Sequence, residues 1–456
     1  MKLRYYFLLI LTSCFIYSAR AQITSWRDLY KVKKKDTIYG IAMLYGLTVD
    51  ELKVANPEMA QADYVLKKGD TIFIPFAKEQ KPQSKQIAPD IKNTPTEPLR
   101  TDVRQRAVKI GIMLPLHNVD GDGQRMIEYY RGLLMGCDSL RRSGISTEIH
   151  AWNVNIDADI RQVLLDKSAQ QCDIIFGPLY TKQVAALANF CDKYNIKMVI
   201  PFSISGNDVE THESIYQVYQ PQSVIDQAAV EAFMERFEGD HPVIIDCNDS
   251  TSNKAHFISL LRKTLDAKGI NYNITNLNNA YEQFEKAFDP AQHNVVVLNS
   301  GKGAFMTKAF NKLSLLQSEV ADMTLSVFGY NEWLVYERQQ KRNFCNLDLY
   351  LPSTFYYNSQ SINTMQLEQS YKDWFHADMQ HRQPRFALTG FDHALFFIKG
   401  LHTYGIDFTA ERSQALVRPI QTPLRFTKVT PQGGNKNNAF MLIHYTPTGK
   451  IQMINY

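Results

Sequence analysis

The chain has 456 residues, 45% hydrophobic and 21% charged, which excludes wholesale disorder and predicts roughly two to four domains. Its formal net charge of +4 is unevenly placed: Lys2, Arg4 and Arg20 make the first 21 residues basic, whereas residues 107–456 hold 32 Lys and Arg against 35 Asp and Glu. A nucleic-acid-binding body would present a basic face, so that class of partner is excluded.

The N-terminus reads as an export signal. Lys2 and Arg4 precede an apolar run from Tyr5 to Tyr17, and Ala19-Arg20-Ala21 fits the small-x-small cleavage rule, leaving Gln22 first in the mature chain. The run is too short for a permanent membrane span. A rival reading takes Leu11-Thr12-Ser13-Cys14 as a lipobox, with Cys14 carrying a lipid anchor. Both readings place the protein outside the cytoplasm, in the periplasm or cell envelope. Without Cys14 five cysteines remain, with no CxxC, which argues against a disulfide framework or a zinc site.

Residues 27–76 form a small module. Tyr30 and Val32 alternate like a strand. Asp36 is placed to cap a helix whose Ile38, Ile41, Ala42 and Tyr45 share one face, and Gly46 stops it. Thr48-x-x-Glu51 is a capping box for a second helix that ends at Asn56-Pro57. Lys68-Gly69-Asp70 is a turn, followed by a strand carrying Ile72 and Ile74. This βααβ pattern resembles a LysM domain, departing from it at Lys35, where that family usually has Gly. The resemblance implies binding to N-acetylglucosamine-containing glycan, above all peptidoglycan. It places the sugar groove between Asp36, Thr37 and Ile38 on one side and Asn56, Pro57 and Glu58 on the other. For Asp36 and Asn56 the alternative is a purely structural cap or turn role.

Residues 77–106 contain four prolines, many Lys and Gln and no aromatic residue, and read as a semi-extended linker.

Residues 107–456 alternate strand and helix patterns, predicting α/β architecture with parallel sheets. Predicted elements are a strand over 108–116, a helix over 126–142, a strand over 147–154, a helix over 160–168, strands over 173–178 and 197–201, and a helix over 181–194 between them. A second set follows from a helix over 224–237 to one over 305–316. Ile110-Gly111-x-x-Leu114-Pro115-Leu116, Asp173-Ile-Ile-Phe-Gly177-Pro178-Leu179, Ile200-Pro201-Phe202-Ser203 and Gly390-Phe391-Asp392-His393-Ala394 together resemble the type I periplasmic-binding-protein fold, which includes amino-acid ABC transporter substrate-binding proteins. The resemblance implies two lobes, one over about 107–222 with part of the C-terminal third, the other over about 223–345. It also implies a ligand cleft lined by Leu179, Tyr180 and Thr181 after the third strand and by Phe202, Ser203, Ile204 and Ser205 after the fourth. For Thr181, Ser203 and Ser205 the alternative is helix capping. The Gly-Pro-Leu turn before Val184-x-x-Leu187-Ala188 is also similar to bacterial penicillin-binding-protein activators, whose body docks proteins.

Phe202, Ile204 and Tyr180 are bulky for a cleft that must admit an amino-acid backbone, and no acidic partner for an ammonium group is evident. Gly121-Asp122-Gly123 reads as a flexible loop rather than a calcium site. Asn299-Ser-Gly-Lys-Gly303 is wrongly spaced for a phosphate loop, and His376 and His381 sit five apart on a predicted helix. Neither HExxH nor GxSxG occurs. The expectation is a non-enzyme without cofactor or metal. It holds peptidoglycan and uses its body for recognition or regulation with a cell-wall synthesis or other envelope protein. The alternative is capture of an amino acid or other small molecule for transport or sensing.

Overall fold

The computed structural model describes residues 26–34, 36–45, 47–56, 59, 64–75, 102–202 and 205–456. The expected export signal with Cys14, the linker as far as residue 101, and Lys35, Gly46, Pro57, Glu58, Ser203 and Ile204 lie outside the described residues. No helix among the described residues is long and apolar enough to cross a membrane.

In the small module, β1 (Trp26–Lys31) pairs antiparallel with β2 (Thr71–Pro75), and α1 (Ile38–Leu44) and α2 (Val49–Ala55) lie between them in sequence. Strand alternation sends Ile72 and Ile74 into a core with Val32, Ile41, Ala42, Leu47, Leu52 and Met59. Thr48 and Glu51 form the capping box. The cap of α1 is Thr37, whose Oγ1 accepts the Gly40 N–H at 3.0 Å, and not Asp36 as the sequence predicted. Asp36 instead accepts the Tyr30 hydroxyl at 2.9 Å and the Lys33 N–H at 2.7 Å, so its carboxylate braces the loop one residue too early to cap.

The body begins with β3 (Val108–Leu114), α3 (Gly121–Arg142) and β4 (Thr147–Asn153). Short helices α4 (Ile160–Val163) and α5 (Lys167–Gln171) stand where one helix was predicted. Next come β5 (Ile174–Phe176), α6 (Val184–Tyr194), β6 (Lys197–Ile200) and β7 (Ile215–Gln217). The chain then passes to α7 (Gln222–Arg236), β8 (His241–Asp246), α8 (Ala255–Ala267), β9 (Asn273–Asn276), α9 (Tyr281–Glu285), β10 (Asn294–Leu298), α10 (Gly303–Glu319) and β11 (Leu325–Phe328). The remaining elements are α11 (Glu337–Asn346), β12 (Leu349–Ser353), α12 (Ile362–Phe375), α13 (Phe386–His393), α14 (Lys399–Tyr404), α15 (Ala410–Gln414), β13 (Phe426–Lys428), β14 (Asn435–Asn437), β15 (Met441–Tyr445) and β16 (Ile451–Asn455).

Two seven-stranded sheets result. One runs β13-β14-β7-β6-β5-β3-β4, parallel except for β13; the other runs β16-β15-β12-β11-β10-β8-β9, parallel except for the pairings of β15. The runs Val108–Leu114, buried except at the half-buried Lys109, and Asn294–Leu298, buried throughout, occupy interior positions, as strands covered on both faces require. The second lobe's sheet takes in β12, β15 and β16, well beyond the 223–345 span expected for it. The chain crosses between lobes three times, over 218–221, 354–361 and 438–440.

α13 returns to the first lobe and lies against α3. A Cβ on Gly390 would sit 2.0 Å from the Tyr129 carbonyl oxygen, and one on Gly132 would sit 1.8 Å from that of Ala387, so both glycines are required for this approach. His376, in the left-handed conformation, ends α12, and His381 lies beyond that helix with Nδ1 3.1 Å from an Arg385 nitrogen; the two do not share a helix.

The module is packed on the body. Phe73, on the opposite side of β2 from Ile72 and Ile74, is 3% exposed. Its ring centroid lies 6.4 Å from that of Trp374 and 6.1 Å from that of Phe375, both at the end of α12.

Candidate functional site

The candidate sites are the module's groove loops and the cleft between the lobes. At the groove, Thr37 is exposed and Ile38, the first residue of α1, is half-buried against the module core. Asn56 is fully buried. Its amide nitrogen donates to the Leu52 carbonyl at 2.8 Å and the Phe73 carbonyl at 2.7 Å, and its oxygen accepts the Phe73 N–H at 2.7 Å. All of its side-chain hydrogen-bonding groups serve the fold, so the alternative weighed for Asn56, a structural role, describes its geometry. Pro57 and Glu58 lie outside the described residues.

The inter-lobe cavity has a volume of about 600 Å³ and lies at the C-terminal ends of strands from both sheets. Leu179, Tyr180 and Phe202 line it from the first lobe, Ile225 and Asn331 from the second, and Val218–Gln220, Thr354 and Phe355 from the crossing segments. Thr181 and Ser205 are not among its lining residues; their hydroxyl oxygens lie 3.3 Å apart, and the Ser205 N–H donates to Thr181 Oγ1. Ser203 and Ile204 lie outside the described residues.

Neither Tyr180 nor Phe202 fills the cavity. The Phe202 ring turns towards Tyr129 and Phe386, with both centroid separations 5.2 Å. The Tyr180 hydroxyl donates to Asp122 at 3.3 Å. Burial, then the Asp122 charge, pushes that hydroxyl up to about 12.

Asp122 and Arg125 are the charged residues of the cleft that the sequence reading missed. They form an ion pair on the first turn of α3, and both line the cavity. Residues 121–123 are therefore helix and not a flexible loop: α3 starts at Gly121, capped by Asp120, whose carboxylate accepts the Gly123 N–H at 2.8 Å. Two glycines masked this start, because glycine weakens helices. Gly123 is needed on steric grounds, since a Cβ there would lie 2.0 Å from the His117 carbonyl oxygen. The Asp before the pair was the available signal for a helix cap.

Behind the cleft, α13 carries two buried ionisable residues. Asp392 accepts the N–H groups of Ile420, Gln421 and Thr422 at 2.7–2.9 Å. Burial pushes its carboxyl up to about 6 against the opposing pull of those donors. His393, with Nδ1 3.0 Å from the Tyr129 hydroxyl, is held down to about 3 by burial. Among the described residues no group of three or more His, Cys, Asp or Glu is placed to hold a metal ion.

Residues 30–75 match the family model described as LysM domain. No curated protein matches the chain in sequence. Among solved structures, one from Rhodospirillum rubrum assigned to the branched-chain amino acid ABC transporters is 13% identical, with a TM-score of 0.51, covering 76% of this chain and 100% of that one. An ABC-type branched-chain amino acid transporter structure from Rhodopseudomonas palustris is 10% identical over 76% of this chain and 95% of its own, with a TM-score of 0.44. Residues 30–75 are a LysM domain, and the remainder of the described chain has the two-lobed fold of type I periplasmic binding proteins.

Proposed function

We propose that this is a non-catalytic protein of the cell envelope, exported to the periplasm or cell surface, held on peptidoglycan by its LysM domain and using its two-lobed body for recognition at the wall. The observation that carries the reading is the LysM match over residues 30–75, joined to a body whose fold is shared with a transport-type binding protein. The glycan is held between Thr37 and Ile38 and the segment that follows Asn56; Asp36 and Asn56 shape the loops without offering their side chains. The test is fractionation of cells producing the protein. It should stay with the insoluble wall after salt and detergent washing and be released by a muramidase. Recovery in the washes would contradict the reading.

A second reading, capture of an amino acid or similar small solute, is favoured by the cleft itself. Its volume of about 600 Å³ is within the range of small-molecule sites. Asp122 and Arg125 offer opposite charges to an ammonium and a carboxylate, which meets the electrostatic objection raised by the sequence. Thermal-shift screening of the full chain against the common amino acids tests it. A saturable stabilisation that is lost in Arg125→Ala supports solute capture, and no stabilisation by any of them would contradict capture of an amino acid.

A further inference from the structure

The packing of the LysM domain on the body creates a cavity that neither part has alone. It has a volume of about 590 Å³, and its walls come from both sides of the junction. The module supplies Tyr64, Lys67 and Asp70, from the loop before β2 that also follows Asn56. The body supplies Gln124, Glu128 and Arg131 from α3, Phe375 from the end of α12 and Gln380 from the segment after it.

The module's wall is fixed next to the groove. The Val32 N–H donates to the Asp70 carbonyl and the Gly69 N–H to the Val32 carbonyl, both at 2.8 Å, so the turn before β2 is tied to the residue that opens the loop carrying Thr37.

The body's wall is ordered before any ligand arrives. Glu128 accepts the Tyr371 hydroxyl at 2.6 Å and the Gln380 N–H at 2.8 Å. The Arg131 guanidinium lies 4.8 Å from the Phe375 ring centroid and donates to the Tyr371 hydroxyl at 3.2 Å. Charges balance across the cavity, with Lys67 and Arg131 against Asp70 and Glu128, which disfavours a strongly anionic or cationic ligand. Amide, carboxylate and guanidinium groups can donate to and accept from hydroxyls, while Tyr64 and Phe375 add aromatic carbon surface to the lining. That combination suits a neutral sugar ring, including its acetamido group.

We propose that this junction cavity is a further sugar subsite, so that glycan recognition is shared between the LysM domain and α3 of the body. The proposal rests on the reading of the LysM domain as glycan-binding. Titration calorimetry of the full chain with N-acetylglucosamine trisaccharide and hexasaccharide separates the two. Gln124→Ala removes a partner from the body's wall, and Gln124→Trp fills the space; the residue is only half-buried, and a thermal melt confirms that each variant folds. Both variants should bind the hexasaccharide about tenfold more weakly than the unmodified chain, with trisaccharide binding unchanged. Unchanged hexasaccharide binding in both variants would overturn the subsite while leaving the groove reading intact. Failure of the unmodified chain to bind either oligosaccharide or insoluble peptidoglycan would overturn the groove reading and the subsite with it.

Discussion

Asn56 stands in for a strand beside Phe73: its side-chain amide takes both the N–H and the carbonyl of that residue, each at 2.7 Å. The same Phe73 turns its ring outward onto Trp374 and Phe375. One residue thus links the module's second helix, its second strand and the body.

Asn56→Ala would leave two buried backbone groups of Phe73 without their partner. We expect a loss of about 3 kcal/mol in the stability of the module. Hydrogen exchange should accelerate over residues 30–75 while the body's protection is unchanged. A variant that lost glycan binding with the module's protection intact would instead make Asn56 a direct sugar contact.

Phe73→Ala should loosen the packing of module on body by about 2 kcal/mol without unfolding the module, because Ile72 and Ile74 still fill its core. Hydrogen exchange at the end of α12 around Trp374 and Phe375 should rise while exchange in α1 and α2 stays slow. Unchanged exchange at Trp374 would argue against the packed arrangement.

Gly390→Ala places a methyl group 2.0 Å from the Tyr129 carbonyl oxygen and forces α13 away from α3. A destabilisation of about 3 kcal/mol is expected in denaturant melts. Ser143→Ala, on the exposed end of α3, serves as the near-neutral comparison.

Acid should weaken the body through His393. Its folded value of about 3 lies below the ordinary 6.5, so the unfolded chain binds the proton first. The stability it contributes is present above pH 6.5 and is lost as the pH falls towards 3, by an amount on the order of 4 kcal/mol. Asp392, raised from 3.8 to about 6, acts in the opposite sense: its contribution is present below pH 3.8 and lost as the pH rises through 6. Thermal melts between pH 7 and pH 4 should therefore show a smaller fall in Tm for His393→Gln than for the unmodified chain. Equal slopes would show that His393 is not held neutral.

Much of the architecture is legible along the chain because its signals are local. The run Val295-Val296-Val297-Leu298, rich in β-branched residues, reads as a covered strand, and Thr48-x-x-Glu51 declares a helix start within four residues. The C-terminal third is harder: Phe426–Lys428 and Asn435–Asn437 are three-residue strands rich in polar groups, with no alternation to read. Nothing near Phe73 in sequence signals its packing, because its partners Trp374 and Phe375 lie about 300 residues further along the chain. Asp122 and Arg125 were hidden by two glycines, and the need for one of them, the clearance of Gly123 from His117, is visible only in three dimensions. In the cleft, Leu179, Tyr180 and Phe202 were named through the family resemblance and line the cavity, whereas Thr181 and Ser205, named the same way, do not; their hydroxyls lie against one another because the loops after β5 and β6 run side by side.

The most direct test of the account is sedimentation of the purified full chain with insoluble peptidoglycan, with and without an excess of soluble N-acetylglucosamine hexasaccharide. The account predicts that the chain pellets with the peptidoglycan and that the hexasaccharide returns it to the supernatant. A chain that remains in the supernatant, or that pellets regardless of competitor, would contradict it.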